Sequence, residues 1–238
     1  MQVYERPSPN FNDRQGCDEP SLIILHYTDT KDLETALGFL TDPVREVSSH
    51  YVVDRDGTLY RLVDEEKRAW HAGRSFWQGI TDLNSHSIGI ELVNGGHAYG
   101  PEPYPQVQIS AVSALCNDLT GRYKIMPQNI LAHSDIAPAR KQDPGALFPW
   151  ASLAEAGIGL WPLPEETDYR EVKSWDLDAY VYACRTYGYD PECGYEDVLR
   201  AYERHFAPEL ILGTQTDETI ARARLACLLR LKQGTTHS

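Results

Sequence analysis

The sequence predicts an α/β protein with a central mixed β-sheet flanked by helices, followed by a small C-terminal three-helix domain. Short apolar runs typical of strands alternate with a hairpin and a helical pattern over the first 150 residues, which favours a layered sheet. Beyond residue 168 only helical patterns remain. The 238 residues suffice for one medium and one small domain, and we place these domains at residues 1–162 and 168–238.

Five segments have the composition of strands. They are short and apolar, and polar or turn residues bound them, as is usual for the buried strands of a sheet. The second and third flank Asp56 and Gly57, and an Asp-Gly pair between two apolar runs predicts a hairpin. The predicted strands are Ser21–His26, His50–Asp54, Thr58–Leu62, Ser87–Val93 and Ile130–His133.

Helical patterns appear once in the first part of the chain and three times in the second. Gln106–Tyr123 has apolar residues at helical spacing, which predicts an amphipathic helix. Leu160–Asp168 contains two prolines and three acidic residues, so we predict a linker there. Glycine and proline separate the helices predicted beyond it, which are Ser174–Tyr187, Gly194–Phe206 and Asp217–Lys232.

The chain is acidic, with 22 Lys and Arg against 35 Asp and Glu, and its formal net charge is −13. Such a charge repels nucleic acid and anionic membrane surfaces, so neither is expected as a partner. The sequence holds no run of 18 apolar residues, which argues against a membrane span. We expect a soluble monomer that acts on a small substrate.

Cysteine usage and the first residues bear on the cellular compartment. Five cysteines, an odd number with no CxxC pair, argue against a disulfide framework and exclude a zinc ribbon. The first fifteen residues carry no apolar stretch of the kind found in secretory signals. We therefore expect a cytoplasmic protein, and the alternative is the periplasm or outer membrane if a signal has been removed.

Three polar residues lie where functional sites are commonly built. His26 ends the first predicted strand, while His133 and Asp143 lie at and after the end of the last one. Two imidazoles and a carboxylate can hold Zn²⁺ and leave its fourth position for water. A lone histidine at a strand end is more often a polar cap than a ligand, so residue type alone leaves both interpretations open.

Six sequence blocks occur in one order along residues 20–150. They are LHYT (25–28), SSHYVVDRDGTLY (48–60), RAWHAG (68–73), SIGIELVN (87–94), AHSDIAPARKQDPG (132–145) and FPW (148–150). Together they resemble the type-2 N-acetylmuramoyl-L-alanine amidases, the AmpD/AmiD-like branch of the peptidoglycan-recognition superfamily. The resemblance implies a mixed sheet flanked by helices, with a zinc site in a cleft at one side.

The resemblance also implies a role for each matching residue. In this family the zinc ligands fall on His26, His133 and Asp143. The acidic catalytic residue falls on Glu91, which would take a proton from water and give it to the leaving amine. Lys141 would stabilise the oxyanion together with the metal. The alternatives are a salt bridge at the sheet edge for Glu91 and a solvated charge for Lys141.

The implied substrate is a muropeptide, a soluble or wall-bound fragment of peptidoglycan. The bond cleaved in the family joins N-acetylmuramic acid, or its 1,6-anhydro form, to L-alanine of the stem peptide, in peptidoglycan turnover or recycling. We expect Trp70 and His71 to line the cleft, and Arg140 to pair with a stem-peptide carboxylate. Core packing is the alternative for Trp70, and simple surface exposure is the alternative for Arg140.

Two further points keep other functions open. Residues 168–238 resemble, more loosely, the three-helix peptidoglycan-binding module of AmiD-type amidases, and the alternative is a packing appendage. A non-catalytic muropeptide-binding protein is the competing function, although such relatives typically lack a full ligand set. A zinc peptidase of unrelated specificity is the weakest alternative, because the sequence contains no HExxH motif.

Overall fold

The computed structural model describes residues 2–235, and in that range six strands form one mixed sheet while two more form a small ribbon. The strands are β1 (Val3–Glu5), β2 (Phe11–Asp13), β3 (Leu22–Tyr27), β4 (Tyr51–Val53), β5 (Leu59–Arg61), β6 (Lys67–Ala69), β7 (Ser87–Leu92) and β8 (Ile130–Ala132). The order in the large sheet is β1-β5-β4-β7-β3-β8, and its neighbours are parallel except for β4 and β5. Strands β2 and β6 pair in antiparallel fashion. The predicted fold class is confirmed.

Helices cover both faces of the large sheet and make up most of the chain after residue 165. They are α1 (Leu33–Thr41), α2 (Leu83–His86), α3 (Gly96–Tyr99), α4 (Gln106–Tyr123), α5 (His133–Ile136), α6 (Trp150–Glu155), α7 (Glu166–Glu171), α8 (Leu177–Tyr187), α9 (Tyr195–Phe206), α10 (Pro208–Ile211) and α11 (Thr219–Thr235). Among the described residues, none of these helices combines the length and the apolar content needed to cross a membrane.

The hairpin and the long helix form where the sequence predicts them. Strands β4 and β5 pair in antiparallel fashion around Gly57, which has φ +84°, a value that suits glycine. The Asp56 carboxylate accepts the Thr58 N–H at 2.8 Å and closes the turn. Helix α4 spans the predicted residues, and its apolar stripe packs against one face of the sheet.

The central strands are buried on both faces, and their alternate residues enter two different apolar clusters. Ile23 and Leu25 of β3 belong to the cluster that contains α4. Leu22 and Ile24 belong to a cluster that continues into α8, α9 and α11. The C-terminal helices therefore share a continuous core with the sheet. The division into residues 1–162 and 168–238 stays a prediction.

The predicted linker is wrong in its last three residues. Helix α7 begins at Glu166, so regular structure starts inside Leu160–Asp168. Asp168 is 2 % exposed, accepts the Glu165 N–H at 2.7 Å, and pairs with Arg230 of α11. The acidic residues that suggested a solvated linker in part cap a helix, and one of them is a buried carboxylate paired with the exposed Arg230. The three predicted tail helices are present as α8, α9 and α11, and the short helices α7 and α10 accompany them.

Candidate metal and active site

The register of three parallel strands brings the predicted site residues to one edge of the sheet. His26 of β3 lies directly opposite Glu91 of β7, so the two side chains project from the same face. On the other side of β3, Leu25 pairs with Ala132 of β8, and His133 follows at once as the first residue of α5. The carboxyl ends of parallel strands are where α/β sheets usually bind ligands.

Three buried side chains bring their acceptor atoms together at this edge. His26 Nδ1 lies 2.9 Å from His133 Nδ1 and 3.1 Å from Asp143 Oδ2. His133 Nδ1 lies 2.9 Å from the same carboxylate oxygen. Asp143 reaches this point because the loop after α5 turns back, and its carbonyl accepts the Ser134 N–H at 3.0 Å. We call these three atoms the donor triangle, since each can donate an electron pair to a cation.

The hydrogen bonds around the donor triangle leave electron pairs directed into it. His133 Nε2 lies 3.1 Å from the Ala72 carbonyl, which can only accept, so the ring proton is on Nε2 and Nδ1 carries a lone pair. Asp143 Oδ2 is also an acceptor. Two acceptors 2.9 Å apart repel each other unless a proton or a cation lies between them. Two imidazole nitrogens and one carboxylate oxygen are a ligand set that fits Zn²⁺.

Burial and neighbouring charges shift the pKa values of His26 and Asp143 toward the protonation states that bind metals. Burial, followed by the neighbouring His133, lowers the pKa of His26 to about 4, so the imidazole stays neutral at pH 7. Burial alone would raise the pKa of Asp143, but the positive charge that His133 and His26 carry when protonated holds it well below its usual range. A neutral imidazole and an ionised carboxylate are the forms that bind metals.

Glu91 is a half-buried residue with one buried carboxyl oxygen. Within the described part of the chain, its Oε2 is buried and has no hydrogen-bond partner. Burial, followed by the charge of Asp143, raises the pKa of Glu91 well above that of an exposed glutamate. A perturbed, unpartnered carboxyl in a cleft is typical of a functional group rather than of a structural one.

The predicted site residues line one cavity of about 380 Å³, with the exception of His26, which is buried and does not reach its surface. The predicted residues in its lining are Trp70, His71, Glu91, His133, Arg140, Lys141 and Asp143. Trp70 is partly buried, and its indole N–H donates to Asn12 Oδ1 at 2.9 Å. Arg140 donates to the carbonyl oxygens of Ala72, at 3.1 Å, and Arg74. Both side chains keep part of their surface toward the cavity.

Four further residues that line this cavity were not predicted from the sequence. The Tyr27 hydroxyl is hydrogen-bonded to His97 Nδ1, and both residues line the cavity. Phe39 also lines the cavity, with the Arg45 guanidinium 3.6 Å from the centre of its ring. Tyr27 directly follows His26 at the end of a strand, so the strand pattern contained a signal for it. His97, Phe39 and Arg45 carry no comparable signal.

The fold and the geometry of this edge define a class of protein, an α/β protein in which two histidines and an aspartate that could hold a metal ion lie beside a half-buried glutamate. The sequence profile of the N-acetylmuramoyl-L-alanine amidase family matches residues 16–146, which is more than half of the chain. The chain therefore belongs to this family, and within it to the AmpD/AmiD-like type-2 amidases.

Individual relatives differ in how much of the chain they match. The chain is 38% identical to N-acetylmuramoyl-L-alanine amidase AmiD of Escherichia coli K12 over 224 residues, covering 85% of this chain and 80% of that protein. It is 35% identical to 1,6-anhydro-N-acetylmuramyl-L-alanine amidase AmpD of Enterobacter cloacae over 162 residues, covering 61% and 84%. The solved E. coli AmiD complex with anhydro-N-acetylmuramic acid-L-Ala-D-gamma-Glu-L-Lys has a TM-score of 0.77 and 35% identity, and covers 94% of this chain and 99% of that one.

Proposed function

We propose that this chain is a zinc-dependent N-acetylmuramoyl-L-alanine amidase. The substrate bond is the amide between N-acetylmuramic acid, or its 1,6-anhydro form, and L-alanine of the stem peptide. The donor triangle of His26, His133 and Asp143 carries the proposal, because three converging acceptors beside an unpartnered carboxyl fit a hydrolytic metal site. The names of the relatives support the choice of bond.

His26, His133 and Asp143 would hold the metal ion. When bound, Zn²⁺ supplies Lewis acidity, which polarises a carbonyl group and makes water easier to deprotonate. The two histidines and the aspartate contribute a single negative charge, so the ion keeps a net positive charge in a buried setting. Their burial excludes competing water from the donor atoms and keeps the three side chains in one arrangement.

Glu91 moves the proton in the proposed mechanism. Its carboxylate accepts a proton from the attacking water as the oxygen bonds to the scissile carbonyl carbon. The same proton then passes to the nitrogen of L-alanine as the carbon–nitrogen bond breaks, which leaves a carboxylic acid and a free amine. The raised pKa of Glu91 suits this role, because the side chain must hold a proton between the two steps.

Lys141, Trp70 and Arg140 complete the proposed site. Lys141 lines the cavity two residues before Asp143, and its ammonium group would stabilise the negative charge that develops on the carbonyl oxygen. Trp70 offers a partly exposed ring to the sugar or the lactyl group. Arg140 would pair with a carboxylate of the stem peptide. Muropeptides in peptidoglycan turnover or recycling are the proposed partners, and a cytoplasmic location stays a prediction.

Amide cleavage with and without a chelator tests the proposal. The substrate is an anhydro-N-acetylmuramic acid tripeptide, and a parallel assay on intact sacculi tests the choice between soluble and wall-bound substrate. We expect cleavage that a chelator abolishes and that added Zn²⁺ restores. Substrate binding that survives the chelator, without cleavage under any condition, would instead favour the non-catalytic muropeptide-binding protein.

A further inference from the structure

The second ring nitrogen of His26 faces another buried histidine. His26 Nε2 lies 2.9 Å from His71 Nδ1, and the two rings meet edge to face with centres 5.0 Å apart. On the far side of its ring, His71 Nε2 lies 3.3 Å from Ser87 Oγ. The Ser87 hydroxyl lies 2.5 Å from the carbonyl oxygen of Leu83. These contacts form a continuous chain from the donor triangle to a backbone carbonyl.

The end of this chain determines the position of every proton in it. The Leu83 carbonyl can only accept, so Ser87 donates to it, and the serine oxygen is then free to accept from His71 Nε2–H. His71 Nδ1 therefore carries a lone pair, which accepts the proton on His26 Nε2. The remaining nitrogen of His26, Nδ1, is left with a lone pair that points at His133 and Asp143.

The protein holds the His71 ring in place from two sides. The backbone N–H groups of His71 and Ala72 both donate to Asn84 Oδ1, at 3.0 and 2.7 Å. The ring lies over Gly89 of β7, where an added Cβ would come within 2.4–2.7 Å of ring atoms. Because only a residue without a side chain leaves this room, the placement of the imidazole is built into the strand.

We propose that His71 is a positioning residue that fixes the tautomer and the orientation of His26 toward the metal. The inference rests on the proposed function, and it gives His71 a role different from lining the cleft. Both ring nitrogens of His71 are turned to protein atoms, and the residue is 8 % exposed. Partners of this kind, which contact a metal ligand rather than the metal, commonly change metal affinity by about 10–100-fold.

The two histidines of the donor triangle differ in the partner that orients them. His133 donates to the backbone carbonyl of Ala72, a partner that no side-chain substitution removes. His26 depends on a side chain, and through it on Ser87. The orientation of His26 can therefore be removed by mutation while His133 keeps its own orientation.

Zinc affinity, measured by competition with a chromophoric chelator, tests the inference. We expect His71→Ala to weaken Zn²⁺ binding about 10–100-fold. His71→Asn keeps an acceptor oxygen close to the position of Nδ1, and we expect it to restore affinity to within a few-fold of wild type. Ser87→Ala, which removes the next link, should fall between the two. His86→Ala, outside the chain of contacts, serves as the control.

Thermal unfolding of the metal-free variants shows whether each protein has folded, and the spectrum of the Co²⁺-loaded forms reports the ligand geometry. Wild-type affinity in a folded His71→Ala variant would overturn the inference, as would a folded His71→Asn variant that binds as weakly as His71→Ala. Tight Zn²⁺ binding by the wild type without amide cleavage would overturn the proposed function alone. Absence of Zn²⁺ binding by the wild type would overturn both.

Discussion

Asp135 of α5 and Asp143 of the loop that follows lie eight residues apart, and both are buried, but their surroundings are opposite. Asp143 faces two imidazole nitrogens whose lone pairs point toward it. Asp135 accepts the Ala132 N–H at 2.8 Å, the Tyr189 hydroxyl at 2.7 Å and His205 Nδ1 at 2.6 Å. A carboxylate surrounded by donors is satisfied and structural, whereas one that meets other acceptors needs a cation.

The two aspartates also point in different directions. Asp143 turns toward the cavity, while Asp135 turns away from it toward the C-terminal helices. The His205 ring, which holds Asp135, is stacked on Trp150 with centres 3.8 Å apart. Helix α5, which carries His133, is therefore held on one side by residues from the C-terminal part of the chain, and the donor triangle lies on the other side.

The largest expected effect concerns Asp143. Asp143→Ala removes one of three donors, and we expect zinc binding and amide cleavage to be lost together, by more than the roughly 100-fold typical of outer-sphere changes. The metal content after dialysis and the cleavage rate measure the effect. Full zinc occupancy in this variant would contradict the ligand role. We expect the metal-free variant to fold, because the substitution also removes a carboxylate that faces acceptors.

Glu91 lies outside the donor triangle, and among the described residues no group donates a hydrogen bond to its buried Oε2. Glu91→Gln preserves the shape of the side chain but cannot accept a proton. We expect a loss of about 10²–10⁴-fold in kcat, the usual contribution of a general acid–base group, with zinc content unchanged. Near-normal turnover in a zinc-loaded Glu91→Gln variant would disprove the proton-transfer role.

His205 tests the structural half of the comparison. His205→Phe keeps a ring against Trp150 but removes a donor from Asp135, which leaves a buried carboxylate one partner short. We expect the free energy of unfolding to fall by about 1–3 kcal/mol, the usual cost of removing one hydrogen-bond partner from a buried polar group. Denaturant unfolding measures this loss. A variant as stable as wild type would show that Asp135 does not need this donor.

Glu65 provides a donor-surrounded carboxylate far from the cavity. Burial alone would raise the pKa of Glu65, but hydrogen bonds from Arg122, Tyr123 and Tyr51 lower it to about 2. Since this value is below the ordinary 4.5, the stabilisation is complete above pH 4.5 and is lost as the pH falls toward 2. We expect about 3 kcal/mol of pH-dependent stability. Glu65→Gln should therefore reduce the dependence of the unfolding free energy on pH in that interval, which acid unfolding measures. A pH dependence equal to that of the wild type would refute this role of Glu65.

The sequence predicts the central strands and the long helix well, because their signals are local. Apolar runs mark β3 and β7, and the Asp-Gly pair marks the turn between β4 and β5. Strands β1, β2 and β6 were not predicted, because each is three residues long, none has the continuous burial of a central strand, and their pairing partners are distant in the chain. The start of α7 was missed because its acidic residues act as caps and ion pairs.

The residues of the candidate site also differ in how far the sequence could identify them. The family motifs identify the residues of the donor triangle and Glu91, whereas spacing alone left His26 open to other interpretations. Contacts between residues that are distant in the chain could not be predicted from the sequence. His71 follows His26 by 45 positions, and nothing local indicates that their nitrogens meet. The same holds for His205 and Asp135, which are 70 positions apart.

The shared core has a consequence for any shortened version of the protein. Leu22 and Ile24 belong to one apolar cluster with Tyr180 of α8 and Tyr202 of α9, so the C-terminal helices cover that face of the sheet. A fragment that stops near residue 162 would expose that apolar surface to water and would be prone to aggregation. A minimal catalytic fragment of this chain would therefore require polar substitutions on the newly exposed face of the sheet, and deletion alone would not suffice.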